Sequence, residues 1–393
     1  MKKIVALTGD EVAAEAMRQI NPDVVAAYPI TPQTEIVQKF SEFVADGKVL
    51  TEMVRVESEH SAMSACVGAT AAGARAMTAT SANGLALMWE VCYIAASCRL
   101  PIVMVVVNRA LSAPINIHCD HSDSMGTRDS GWIQLYSENC QEIYDNLIQA
   151  VKIAEDKNTL LPVMVTLDGF IISHAMERVE LLGDKRVSDF IGKYENPHSL
   201  LDMENPVTYG PLDLFDYYFE HKRQQVEAME KAVEAIRKVG KEFGELSARA
   251  YDLIEGYQLD DADFVTIALG STAGTIKVVV DELREEGVKA GLLKIRAFRP
   301  FPAQEIIQAL RKSKAVAVLD RSASFGAQGG PVFLEVRSAL FQEEKKPPIV
   351  NYIYGLGGRD IGVKDIRGVY ENLQRIAETQ RLPDTIGYLG VRE

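Results

Sequence analysis

The chain has 393 residues, 47% of them hydrophobic and 25% charged, with a formal net charge of −13. That length exceeds what one core usually holds and predicts two or more domains, while the ordinary composition excludes disordered, fibrous and collagen-like classes. The acidic balance excludes nucleic acid and anionic membrane surfaces as natural partners.

No apolar run reaches the roughly 18 residues of a membrane span. The start, Lys2 to Leu7, resembles the first part of a secretory leader, but Asp10 and Glu11 cut it short and no cleavage site follows, so a cytoplasmic address is expected. The five cysteines, Cys66, Cys92, Cys98, Cys119 and Cys140, lack C-x-x-C spacing. An odd set of this kind predicts reduced thiols and argues against an iron–sulfur cluster or structural zinc; no residue is assigned as a metal ligand in this chain.

Taken in chain order, Asp23–Tyr28 predicts a buried strand, Gln33–Phe43 a helix, Val49–Val56 a strand and Ser58–Ala74 a small-residue helix. Arg75–Thr80 follows as a strand, Gly84–Ser97 as one helix, and Pro101–Asn108 and Leu161–Leu167 as clear buried strands. Continuous apolar strands alternating with helices imply a parallel sheet covered on both faces. From Met176 to about Gly210 the chain is charged and aperiodic and is expected to form an arm or linker. A long amphipathic helix then carries Val226, Met229, Val233, Ile236, Phe243 and Leu246 on its apolar face. A second α/β unit begins near Asp261, with strands at Phe264–Leu269, Ala290–Arg296 and Ala315–Asp320 and a final strand at Ile349–Tyr354. Its helices are Gly274–Glu286, Ala303–Lys312 and Gly329–Phe341. The expected division is 1–175, 176–258 and 259–393.

Three strand-to-helix junctions fall on the carboxyl edge of the first sheet, where open α/β sheets bind ligands. Tyr28-Pro29-Ile30-Thr31-Pro32 places Thr31 as a helix cap and Pro32 at the first helical position. Val56-Glu57-Ser58-Glu59-His60 puts two acids at a helix start, where they either complement the helix dipole or, for Glu59, face a cofactor as a desolvated carboxylate. Thr80-Ser81-Ala82-Asn83-Gly84 is either a capped turn or a site for an anion or pyrimidine ring. Arg109, after the strongest strand, and Arg128 are candidate forks for a carboxylate, with structural ion pairs as the alternative. His118, Cys119, Asp120, His121 and Asp123 match no zinc template, and the glycines near 326–330 and 355–358 suit turns better than a nucleotide fingerprint.

Together with Asn108-Arg109-Ala110-Leu111-Ser112-Ala113-Pro114, Arg128-Asp129-Ser130-Gly131-Trp132, Phe298-Arg299-Pro300-Phe301-Pro302 and Gly355-Leu356-Gly357-Gly358-Arg359-Asp360, these motifs resemble the alpha subunit of the pyruvate (2-oxo acid):ferredoxin oxidoreductases over essentially the whole chain. The resemblance implies two doubly wound α/β domains, a thiamine diphosphate pyrimidine-binding domain followed by a transketolase C-terminal-like domain. It implies Glu59 as the carboxylate on the aminopyrimidine N1′, with Tyr28, Pro29, Ile30 and Asn83 around the cofactor. It also implies Thr31 and Arg109, and less directly Arg128, on the substrate.

The Gly-Asp-Gly motif for the diphosphate and Mg²⁺ is missing, since Gly9-Asp10 and Gly183-Asp184 are not followed by glycine. A beta subunit is therefore expected to bring the diphosphate and Mg²⁺, and gamma and delta subunits the [4Fe–4S] clusters. The implied reaction is oxidative decarboxylation of pyruvate, with coenzyme A taking the acyl group and ferredoxin the electrons. The alternatives are a branched-chain 2-oxo acid, 2-oxoglutarate or oxalate as substrate, or a non-catalytic scaffold.

Overall fold

The computed structural model describes residues 3–382 and 386–392. The strands, in chain order, are β1 (Lys3–Thr8), β2 (Val24–Ala27), β3 (Glu52–Arg55), β4 (Ala76–Thr80), β5 (Val103–Asn108), β6 (Ile133–Tyr136), β7 (Val163–Asp168), β8 (Met176–Leu181), β9 (Ile254–Tyr257), β10 (Phe264–Ala268), β11 (Ala290–Ile295), β12 (Ala297–Arg299), β13 (Ala315–Asp320), β14 (Ile349–Tyr354) and β15 (Ile386–Leu389). The first sheet runs β12-β6-β7-β5-β4-β2-β3 and is parallel except for β12. Every residue of β4, β5, β6 and β7 is buried, as strands covered by helices on both faces require. The second sheet runs β15-β14-β13-β10-β11-β9 and is parallel except for β9. The α/β class and its two parallel sheets agree with expectation.

Several elements depart from it. The leader-like start is β1, which pairs antiparallel with β8 inside the segment expected to be an arm. That segment also holds the helix Asp184–Ile191, and its one long stretch without regular structure is 192–217. The helix expected over Gly84–Ser97 is two, Ala82–Leu87 and Trp89–Ser97, divided at Met88. Tyr354 does not end the second sheet, because the helix Val363–Thr379 leads to β15.

The long helix is Tyr218–Ser247, and its buried face is shifted from the expected stripe. Val226 is half exposed, while Ala228, Ala232, Ala235, Val239 and Gly240 are buried with Ile236 and Phe243. Small residues carry this face because the backbone approach is close: a β-carbon at Gly240 would meet the Tyr251 carbonyl. β9 joins the second sheet ahead of residue 259, and β12 leaves that unit to become the edge strand beside β6. Among the described residues no helix is long and apolar enough to cross a membrane.

Candidate functional site

β3, β2, β4 and β5 are neighbours and parallel, so their carboxyl ends share one edge. The turn after β2 is held to that edge by Gln33, which is fully buried, donates to the Ala79 carbonyl (2.9 Å) and accepts from the Ile30 amide (3.2 Å). This corrects the reading of Thr31 as a cap: the helix starts at Thr34, behind Gln33. Thr31 is exposed, and its hydroxyl makes no hydrogen bond with a described residue. Tyr28 and Pro29 are exposed beside it and Ile30 is half-buried.

Glu59 opens the helix Glu59–Ala71, capped by Ser58, whose side chain accepts from the Ser61 amide (3.3 Å). Glu57 stays in solvent and takes the Ser61 hydroxyl, the ordinary role of an acid at a helix start. Glu59 is 7% exposed and accepts no hydrogen bond from the described residues. A β-carbon at Gly84 would stand 2.6 Å from Glu59 Oε1 and 2.6 Å from Thr80 Oγ1, so only glycine leaves this carboxylate in place. The Thr80 hydroxyl beside it is buried and unpaired, as is that of Ser81, the next residue along the chain. Buried polar groups are normally satisfied, so a carboxylate and a hydroxyl left without partners around a glycine form a cradle for a polar flat ligand.

Arg109 is 6% exposed. Its Nη1 donates to the Thr31 carbonyl (2.9 Å) and its Nε to the Asn116 carbonyl (2.8 Å), so the structure brings Thr31 and Arg109 together. It forms no ion pair with a described acid, which removes the structural alternative and leaves the rest of its five N–H donors for a ligand. Asn83 is exposed and tied to Ser112, donating to its hydroxyl (3.1 Å) and accepting from its amide (3.3 Å). Arg128 is not brought to this group. Its guanidinium donates to the Met125 carbonyl (2.9 Å) and lies 3.9 Å from Asp129, and its own carbonyl accepts from Arg299 (3.1 Å). That is the local ion-pair arrangement.

Asp123, grouped at first with a metal-like loop, is the anchor of the edge. Its Oδ2 accepts from the Ala82 amide (3.0 Å) and the Arg109 amide (2.9 Å), and its Oδ1 from Asn108 Nδ2 (2.8 Å). Ala82 sits at φ 42°, a left-handed conformation that alanine disfavours, and the bond from its amide helps hold it there. Burial pushes the Asp123 carboxyl up to about 6 despite these donors. No local pattern in the sequence marks this role; it appears only when the ends of β4 and β5 are brought side by side.

The second unit closes on the same loop. Asn116 Nδ2 donates to the Gly357 carbonyl (3.0 Å), the Gly357 amide to Asp120 (3.2 Å) and the Gly358 amide to the Cys119 carbonyl (2.7 Å). At the carboxyl ends of β7 and β13, Asp168 pairs with His121 Nε2 (2.8 Å) and Arg321 Nη1 (2.8 Å) and accepts from the Ser271 amide (3.1 Å). Burial opposes its charge, but His121 and Arg321 hold the carboxyl below its usual range.

Comparison with known proteins gives this edge a context. The model for pyruvate flavodoxin/ferredoxin oxidoreductase, thiamine diphosphate-binding, matches residues 15–241, and that for pyruvate:ferredoxin oxidoreductase core domain II matches 262–366. The chain belongs to the pyruvate flavodoxin/ferredoxin oxidoreductase family. It is 60% identical to pyruvate synthase subunit PorA of Thermotoga maritima, over 99% of this chain and 98% of that one. It is 50% identical to the same subunit of Methanocaldococcus jannaschii, over 100% and 99%. Identity to ketoisovalerate oxidoreductase subunit VorA of Pyrococcus abyssi is 46%, over 97% and 96%.

Two solved structures share the fold. The 2-oxoglutarate:ferredoxin oxidoreductase of Magnetococcus marinus matches 94% of this chain, which spans 65% of that longer one (TM-score 0.74, 20% identity). A split-gene transketolase, solved as an inactive beta4 tetramer, matches 95% of this chain and 100% of its own (TM-score 0.55, 12% identity). Glu59, Thr31, Asn83 and Arg109 all lie within the residues matched by the thiamine diphosphate-binding model, as do Gly84 and Thr80.

Proposed function

We propose that this chain is the pyrimidine-side subunit of a cytoplasmic pyruvate:ferredoxin oxidoreductase. A buried Glu59 carboxylate with no protein partner, set under Gly84 and on the same sheet edge as the Thr31–Arg109 pair, carries the reading. The 60% identity to a pyruvate synthase subunit, against 46% to a ketoisovalerate oxidoreductase subunit, favours pyruvate. Five free cysteines suit a reducing compartment.

Thiamine diphosphate, when bound, supplies the nucleophilic carbon and the electron sink for decarboxylation. Glu59 holds or accepts a proton at the aminopyrimidine N1′, and its burial makes that hydrogen bond strong. Arg109 uses its remaining N–H donors on the substrate carboxylate, and the Thr31 hydroxyl donates to the 2-oxo oxygen. Asn83, Tyr28, Pro29 and Ile30 line the cofactor side. A beta subunit completes the site with the diphosphate and Mg²⁺. Gamma and delta subunits carry electrons to ferredoxin through [4Fe–4S] clusters, and coenzyme A takes the acyl group.

Purification of the complex from native expression, with thiamine, iron and subunit analysis, tests the assembly. Glu59→Gln in that complex should lower turnover of pyruvate by roughly 10²–10⁴-fold, the scale of general acid–base assistance. Full turnover in the variant, or a complex without thiamine, overturns the reading.

A further inference from the structure

A second group of polar side chains lies behind the substrate turn. Asp10, in the first turn of the helix Gly9–Ile20, is 0% exposed, and neither of its carboxylate oxygens accepts a hydrogen bond. Its main chain is fixed, since the Gly9 amide donates to the Ile172 carbonyl (3.2 Å) and the Asp10 amide to the Ser173 carbonyl (2.9 Å). An ionised carboxylate without donors is strongly disfavoured inside a protein. The neighbouring acids Glu11 and Glu35 add to that cost, and burial with their charge pushes the Asp10 carboxyl well above its usual range.

His174 faces Asp10. Its Nδ1 is 3.7 Å from Asp10 Oδ2, and its Nε2 is 3.7 Å from Glu35 Oε1. One ligand atom from each of Asp10, Glu35 and His174 falls within 4.8 Å of the others. Ligands about 2.1 Å from one ion stand about 3–3.5 Å apart, so small side-chain movements close the set. The ring is already oriented, because Ser173 Oγ lies 2.7 Å from Nδ1 and is itself fixed by the Phe170 amide (2.8 Å). Such an outer contact is what holds a metal-binding imidazole in place. Glu35 is half exposed and His174 about one third, which gives an ion an entry path and room for water ligands.

We propose that Asp10, Glu35 and His174 bind a divalent cation of the manganese or zinc class. Two carboxylates and one imidazole suit those ions better than a soft thiophilic metal. The cation offsets the otherwise unpaired Asp10 charge. It also ties the helix that follows the Thr31 turn to the 169–174 turn, whose Gly169 packs against Pro32. The site therefore stiffens the substrate turn from behind and is separate from the cofactor's own Mg²⁺.

The test uses the purified full chain, stripped with chelator, and Mn²⁺ titrated in with the free-ion electron paramagnetic resonance signal as readout, Zn²⁺ serving as competitor. One Mn²⁺ should bind per chain and raise Tm. Asp10→Asn and His174→Ala should each weaken binding roughly tenfold or more and abolish the Tm rise. Metal-free Asp10→Asn should melt no lower than metal-free wild type, which separates lost binding from lost folding. No binding at millimolar Mn²⁺ or Zn²⁺, or variants that bind like wild type, overturns the proposal.

Discussion

Gly84 presses its backbone against the Glu59 carboxylate, leaving no room for a β-carbon between Gly84 and Oε1. The atoms a methyl would strike are the ends of the Glu59 and Thr80 side chains, which move without unfolding the helix. Gly84→Ala should therefore change stability by about 1 kcal/mol or less, because alanine's better helix propensity offsets the crowding. Turnover of the complex should fall by roughly 10²-fold as Glu59 is displaced. Paired kcat and Tm measurements decide it, and wild-type turnover would falsify the tight fit between these two residues.

Arg109 reaches the Thr31 and Asn116 carbonyls through two different nitrogens, a fork that lysine lacks. Arg109→Lys should retain the charge and the fold but lose a charge-assisted contact of about 1.5–3 kcal/mol, lowering kcat/KM for pyruvate roughly 10–100-fold. Asn116→Ala, which removes the side-chain bond to Gly357, should act in the same direction more weakly, about fivefold and mainly in KM. Equal losses in the two variants would mean that Arg109 does not touch substrate.

Asp123 carries a pH signature. Its folded carboxyl titrates at about 6, against about 4 in an unfolded chain, so folding favours the protonated form. The contribution of this group to stability is therefore largest below pH 4 and shrinks as pH rises from about 4 to about 6, by at most about 3 kcal/mol. Asp320, also pushed up to about 6 by burial, adds a slope of the same sign to every variant. Urea midpoints at pH 4.5 and 6.5 should show a flatter dependence for Asp123→Asn than for wild type. Parallel slopes would count against the assignment.

The His121–Asp168–Arg321 set spans both units, so its loss should read out as stability. Asp168→Ala strands a buried guanidinium and should cost about 3–5 kcal/mol. Thermal melts of the full chain, with Arg321→Met as a partly compensating second change, measure it. A Tm within a degree of wild type would show that solvent replaces the lost carboxylate.

The strands that build the site were legible for a physical reason: β5 and β7 are buried on both faces, so their sequences are continuous apolar runs. The junctions after β2, β3 and β4 were legible as strand-to-helix turns because Pro, Ser, Thr and Gly there interrupt the apolar runs, as at Ser58, which caps its helix. What escaped depends on partners far away in the chain. β1 and β8 make a two-stranded ribbon outside the two large sheets in which only Val179 and Leu181 are fully buried, so neither strand stands out until paired. The face of the long helix was misplaced by its alanines and Gly240, which pack closely while contributing little hydrophobic signal. Thr31 resembled a cap locally, yet the helix starts at Thr34, after Gln33, whose side-chain amide holds the turn to β4. Arg128 shared the motif chemistry of Arg109 but is spent on Met125 and Asp129.

β12 has a further consequence, for biosynthesis. Its three residues come from far down the chain to cover the flank of β6, and Arg299 is then locked by Glu335. At synthesis rates of roughly 5–20 residues per second, β6 leaves the ribosome some 10–30 s before its covering strand exists. During that interval the nascent sheet exposes a row of unpaired amides and carbonyls, a template for joining another chain. Gene fragments ending near residue 258 should inherit that stickiness permanently and precipitate, where the uninterrupted polypeptide conceals it.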